Sequence, residues 1–270
     1  MPIRRLLASL LLLVLAVPAT AQPKAAPSPA VHAIRTQRLI ADPRADTARP
    51  ALVIVEGDRI KAILPADSPV PEGAMLTDLG EATLLPGFID SHVHITGDPG
   101  EGPLSEATVP PERQVVTGVR NARLTLAAGF TTVRDLGSAP LTALALRDAI
   151  RAGDVPGPRI LAAGPAISII GGHGDISGFR PEVNQALSAG NTCTGPTECA
   201  ERVRQLSRSG VDVIKFTATG GVLSQQGRGL GAAFTQPEMD AIVTTAHQLG
   251  LKVTAHAHGD SGIAGATRAG

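Results

Sequence analysis

Two histidines separated by one residue, His92 and His94 in GFIDSHVHI, are the residues of this chain best suited to chemistry. The segment reads as a strand, and residues i and i+2 of a strand share a face. Two neutral imidazoles on one face can grip a divalent ion from one side. Downstream, Lys215 sits in the apolar run VDVIKFTATGG, and a second pair, His256 and His258, sits in KVTAHAHGD. A single H-x-H fits two solvated histidines equally well. Three such strand ends, each preceded by an apolar run, point instead to a metal site.

Lys215 needs separate treatment, because an ammonium does not ligate a metal. Between Val213, Ile214 and Phe216 the charged amine is disfavoured. A neutral amine can take up CO2, and the resulting carbamate is an anionic ligand with two oxygens. Such a group can hold two ions roughly 3.5–4 Å apart. The alternatives are a lysine paired with Asp212 or one reaching outward from a strand end.

The elements that position these residues are legible in outline. Residues 32–85 read as short strands and turns, with a hairpin signal at Glu56-Gly57-Asp58 inside ALVIVEGDRIKAIL. This is the pattern of a small β-domain. From Pro86 onward strand and helix alternate. Strands are expected at Phe88–His94, Thr131–Asp135, Arg159–Ala163, Val213–Phe216 and Lys252–His256. Helices are expected at Glu112–Ala128, Pro140–Ala152, Glu198–Ser209 and Gln236–Leu249. Thr235-Gln236-Pro237-Glu238 is a capping box, and Gly129, Gly153, Gly210 and Gly250 fall where helices should end. Repeated βα units argue an α/β fold with a parallel sheet or barrel. About five units fit into residues 86–270, whereas a full (β/α)8 barrel needs roughly 250 residues. The expectation is therefore a partial (β/α)8 barrel, incomplete at its C-terminus, rather than a complete open five-stranded sheet.

Composition narrows the setting. Lys plus Arg and Asp plus Glu are equal at 24 each. No nucleic acid and no anionic membrane surface is expected as partner. The chain has five Phe, no Tyr and no Trp, so its core must be aliphatic, as suits a parallel sheet buried on both faces. Met1–Ala21 reads as a signal peptide: Arg4 and Arg5, an apolar stretch from Leu6 to Val17, then Ala19-Thr20-Ala21. The apolar stretch is short for a membrane span. Residues 22–31 are Pro/Ala-rich and read as a flexible lead-in. A periplasmic or secreted location follows. There Cys193 and Cys199 can form a disulfide or remain free thiols; their spacing is no C-x-x-C motif.

LLPGFIDSHVH, GFTTVRDLG, the strand lysine and VTAHAHG, in that order, resemble the metal-dependent amidohydrolase superfamily. GGHGD at Gly171–Asp175, with CTGPTEC and IKFTATGG, is similar to the branch holding Xaa-Pro dipeptidases, related carboxypeptidase-like enzymes and ochratoxin-hydrolysing amidohydrolases. The resemblance implies a small β-sandwich domain, partly built from residues 32–85, flanking a distorted (β/α)8 barrel, with two divalent ions, usually zinc, at the strand ends. It implies His92 and His94 on the first ion, His256 on the second, and Lys215 bridging both as a carbamate. It sets His258 beyond the metals toward substrate. His173, in its Gly-rich loop, suits a substrate contact, and Asp90, of the same parity as His92, suits a group that orients a ligand from behind. Arg134 and Asp135 are expected to pair with each other. His32 and His247 receive no role.

The family pattern also asks for a further histidine and a general-base aspartate, both expected beyond Gly270. The implied reaction is hydrolysis of an amide in a dipeptide or N-acyl amino acid, a small-molecule substrate. As it stands, the chain is expected to turn over poorly. Rival expectations are a metal-binding protein without turnover and an amidohydrolase for a cyclic amide such as an imidazolone. Oligomeric state is left open.

Overall fold

A computed structural model describes residues 30–42, 44, 47–100, 103–221, 224 and 229–270. The expected signal peptide, and the lead-in up to residue 29, lie outside the described residues. Among the described residues no helix is long and apolar enough to cross a membrane. The chain divides into two compact units, Met1–Pro86 and Gly87–Gly270.

The first unit is one mixed sheet. Its strands are β1 (Val31–Leu39), β2 (Arg49–Glu56), β3 (Arg59–Leu64), β4 (Met75–Asp78) and β5 (Thr83–Leu84). The order is β3-β2-β1-β4, with β5 also on β1. β2 and β3 pair antiparallel around Gly57-Asp58, where Gly57 takes a φ of 60° that a residue with a Cβ adopts only rarely. Four successive residues of β2, Ala51 to Ile54, are buried. Leu52 and Ile54 pack with Ala33, while Ala51 and Val53 pack with Leu39. Both faces of the sheet thus carry apolar cover. A sandwich partly built from this segment was expected, and the described residues of the segment form one sheet. In it β1 is bonded along both edges, to β2 on one side and to β4 and β5 on the other.

The second unit alternates strand and helix: β6 (Phe88–Val93), α1 (Pro103–Thr108), α2 (Pro111–Ala127), β7 (Phe130–Asp135), α3 (Thr142–Ala152), β8 (Arg159–Ala162), α4 (Pro181–Leu187), α5 (Gly195–Arg208), β9 (Val213–Thr217), α6 (Gln236–Gln248), β10 (Lys252–His256) and α7 (Asp260–Ala269). β6, β7 and β8 pair parallel in chain order, as do β9 and β10. Three backbone bonds stitch the two groups together. Asp212 donates to the Ala162 carbonyl (2.9 Å), Ile167 to that of Lys215 (2.8 Å) and Thr217 to that of Ile167 (2.9 Å). Parallel strands in chain order put all their carboxyl ends along one edge, where sites of α/β folds are built. The fold class is mixed α/β.

The aliphatic core joins Val133, Ile160 and Ile214 from the strands to Leu146, Val203 and Ile242 from the helices. Each such side chain contributes roughly 1.5–3 kcal/mol on burial. The capping box at Thr235 and Glu238 is formed. α1 and α4 were not foreseen. Each starts with proline, and α4 buries none of its side chains, so it carries no apolar stripe to read. α3 starts two residues late because Leu141 takes a left-handed φ of 66°.

Candidate functional site

The carboxyl ends of β6 to β10 surround a cavity of about 1050 Å³. Its lining includes His92, His94, His173, Lys215 and His256. Five of the six histidines and lysines singled out from sequence therefore share one cavity. His258 stands off it, exposed, with its ring edge against His256 at 4.7 Å between centroids. Asp90 also lies outside the lining; its carboxylate accepts the backbone N–H of His92 (3.0 Å).

The first histidine pair is wired. The rings of His92 and His94 meet edge to face at 5.3 Å. His94 Nδ1 lies 2.8 Å from the Gly137 carbonyl oxygen. A carbonyl only accepts, so Nδ1 carries the hydrogen, and in the neutral ring Nε2 is left with its lone pair. Gly137 permits this approach, since a Cβ there would sit 3.0 Å from the His94 ring. His92 is held below the usual imidazole pKa, first by desolvation and then by the charges of Lys215 and His94.

The expected Arg134–Asp135 pair does not form. Arg134 Nε donates to the Ser91 carbonyl (2.8 Å), while Asp135 accepts from the backbone N–H of Ile95 (2.8 Å) and of Gly137 (3.4 Å). Adjacent strand residues leave opposite faces, so a contact between the two was geometrically disfavoured. Asp135 is 0% exposed, and burial raises its carboxyl to about 6.

The second group is packed rather than wired. Every residue of β9 is buried, and Lys215 is 3% exposed. Asp212, its nearest expected counter-ion, is taken by Arg147 at 2.7 Å. Among the described residues Lys215 has no ion pair, and desolvation first, then the charge of Arg134, lowers its amine to about 8. Across the sheet Lys215 is in register with Thr254, and His256 with Thr217. The His256 ring stacks on His173 with centroids 4.0 Å apart. Burial, then His173, His258 and Lys215, push His256 down to about 4. Its ring is therefore neutral at physiological pH. His173 is lowered as well, chiefly by desolvation, and its Nδ1 lies 2.8 Å from Ser224 Oγ. Gly221 passes so close that a Cβ would lie 2.5 Å from His256 Nε2.

Among the described residues, only two buried side-chain polar atoms lack a hydrogen bond, Ser138 Oγ and His256 Nε2, and both residues line the cavity. A buried orphan nitrogen costs free energy unless something outside the chain satisfies it. The donors fit divalent metal in kind: neutral imidazoles, one Nε2 freed by its tautomer and one without a partner. They are short in number, since among the described residues no three His, Cys, Asp or Glu side chains converge to hold an ion. Lys215 lines the same cavity.

Sequence reasoning missed Asn121 in α2. Its amide donates to the carbonyls of Ile95 (3.1 Å) and Gly97 (3.0 Å), pinning the segment after His94. The signal was an asparagine inside a helix, where its propensity is poor. Cys193 and Cys199 are joined in a disulfide.

A model of the amidohydrolase family matches residues 83–270. The chain is 32% identical over 244 residues to the ochratoxinase of Aspergillus niger, covering 82% of this chain and 48% of that one. Among solved structures, a Xaa-Pro dipeptidase with bound methionine in the active site aligns at TM-score 0.76 and 33% identity, over 89% of this chain and 60% of that one. The A. niger ochratoxinase structure aligns at TM-score 0.76 and 26% identity, over 90% and 59%. The chain spans about half the length of the curated relatives it matches.

Proposed function

This chain belongs to the amidohydrolase family, and from that premise we propose that it carries the metal-holding strands of an exported hydrolase. The bond cleaved is the amide of a dipeptide or an N-acyl amino acid. Support for this substrate class comes from the likeness to a Xaa-Pro dipeptidase and to ochratoxinase. The five parallel strands are one arc of a (β/α)8 barrel. Residues 1–21 direct export and are removed, which places the protein in the periplasm or outside the cell. Residues 32–85 and 86–270 are its two domains.

The observation that carries the proposal is that, among the described residues, a buried lysine without an ion pair and a buried imidazole nitrogen, His256 Nε2, without a hydrogen bond share one cavity. His92 and His94 would hold one divalent ion and His256 a second, with carboxylated Lys215 as the anionic ligand that completes the set; zinc would suit these imidazoles. When bound, the two ions supply Lewis-acid polarisation of the substrate carbonyl and a more acidic water. Lys215 is the residue that changes covalently. Its neutral amine forms a bond to the carbon of CO2, loses a proton to solvent and becomes a carbamate anion. An amine lowered to about 8 is neutral in about one molecule in ten at pH 7, against about one in 3,000 for an ordinary lysine, which favours this step. His173, stacked on His256, contacts the substrate from its loop; His258 reaches it only from the rim; Asp90 steadies the backbone of His92.

The test uses the whole protein. Loaded with zinc, it should hydrolyse Xaa-Pro dipeptides or N-acyl amino acids, and a chelator should abolish the activity. His92→Asn and His256→Asn should each lower zinc content measured by plasma emission. A folded protein with unchanged zinc in both variants, or one that cleaves neither substrate class, would contradict the proposal.

A further inference from the structure

We propose that Asp135 is the positioning residue of the first histidine pair, fixing which nitrogen of His94 faces the cavity. Three hydrogen bonds and the His94–Ile95 peptide link form a closed circuit. His94 donates from Nδ1 to the Gly137 carbonyl, and Gly137 donates its own N–H to Asp135. The other Asp135 oxygen takes the N–H of Ile95, the residue that follows His94. One buried carboxylate thus holds the backbone on both sides of the His94–Gly137 bond, at the ends of two neighbouring strands. Asn121 also holds the same segment, through the Ile95 and Gly97 carbonyls.

Asp135 does not line the cavity, so it touches no substrate and acts only through His94. Among the described residues its carboxylate hydrogen-bonds these two backbone N–H groups, with a further contribution from the Ser138 side chain, and its burial is costly. A buried acid kept at that cost, with both oxygens aimed at two backbone N–H groups, fits an orienting part. Without the circuit nothing requires His94 to keep its hydrogen on Nδ1, and a free neutral histidine favours Nε2–H. That tautomer would blunt the nitrogen offered to a metal. The inference rests on the metal reading only in treating His94 as a ligand; the tautomer itself is a property of the metal-free chain.

The experiment is two-bond 1H–15N NMR of the metal-free protein at neutral pH, with histidines labelled, alongside a zinc titration. In the wild type, His94 should show the Nδ1–H pattern. In Asp135→Ala it should shift mainly to Nε2–H, while the signals of His32 and His256 stay in place as a check on folding. If that variant does not fold, Asp135→Asn retains one acceptor and should give a mixture of tautomers. Zinc affinity of either variant should fall about 10–100-fold. His94 showing Nε2–H in the wild type, or keeping Nδ1–H in both variants, overturns the inference. If the tautomer shifts as expected but the wild type binds no zinc, the positioning stands and the metal reading falls. If zinc binds but the tautomer never moves, the reverse holds.

Discussion

Arg147 and Lys215 are both buried cations of the α/β unit, 7% and 3% exposed, and the fold treats them in opposite ways. Arg147, on α3, is surrounded by acceptors: Asp148 at 2.9 Å, Asp212 at 2.7 Å and the Gly210 carbonyl at 2.8 Å. These partners, Asp148 first, raise its pKa. Asp212 in turn takes the N–H of Ala162 (2.9 Å), so the cluster ties α3 to the carboxyl end of β8. Lys215, three residues along from Asp212, has no ion pair among the described residues and is driven toward its neutral form. A cation with partners is a strut. A cation buried without one is a reactive amine, or the attachment point of a group that is not a cation at all.

The sharpest way to break this contrast is to remove each side chain. In the zinc-loaded whole protein, Lys215→Ala should lower amide hydrolysis by on the order of 1,000-fold or more, several kcal/mol of transition-state stabilisation. A short carboxylic acid added to the assay should restore part of it by standing in for the carbamate. Arg147→Ala should leave turnover of the folded fraction near wild type but cost roughly 2–4 kcal/mol of stability, because Asp212 loses its partner. That is less than for a wholly buried pair, since 24% of the Asp212 side chain stays open to solvent. Chemical denaturation and steady-state kinetics separate the two outcomes. Full activity in Lys215→Ala without additive would end the distinction.

A smaller effect sharpens it. In the metal-free chain Lys215→Met should be stabilising, on the order of 2 kcal/mol at neutral pH, because it removes a charge the interior disfavours. The gain should depend on pH with a definite sign. A base whose folded pKa is lowered to about 8 contributes stability that is fully present above the unfolded value of 10.5 and is lost as pH falls through 8. The advantage of Lys215→Met should therefore shrink between pH 8 and 10.5. His256 acts alike at lower pH: its contribution is present above 6.5 and lost as pH falls through about 4. Urea midpoints across pH 4–10.5 check both, and an advantage of Lys215→Met that grows with pH would reverse the sign.

Much of this was readable because the relevant rules are local. Period-two spacing put His92 with His94 and placed Lys215 within an apolar strand, and glycines at the helix ends fixed most strand starts to within a residue or two. Gly129, Gly153, Gly210 and Gly250 all take positive φ, as helix-ending glycines do. What stayed hidden depends on partners far along the chain. Nothing near Asp135 announces that it serves Ile95 and Gly137 instead of Arg134. Nothing near Lys215 announces that Arg147 has already claimed Asp212. The rim position of His258 depends on where β10 ends, at His256, so that His258 falls beyond the strand. The single sheet of the first unit depends on β1 bonding at both edges, which no strand pattern declares.

The most direct test of the central claim, that Lys215 is a carbamate when the site holds metal, is 13C NMR of the zinc-loaded protein equilibrated with 13C-bicarbonate. A carbonyl signal in the carbamate region should appear in the wild type and in Arg147→Ala, and be absent from Lys215→Ala. Zinc bound at close to two ions per chain with no such signal in the wild type would contradict it.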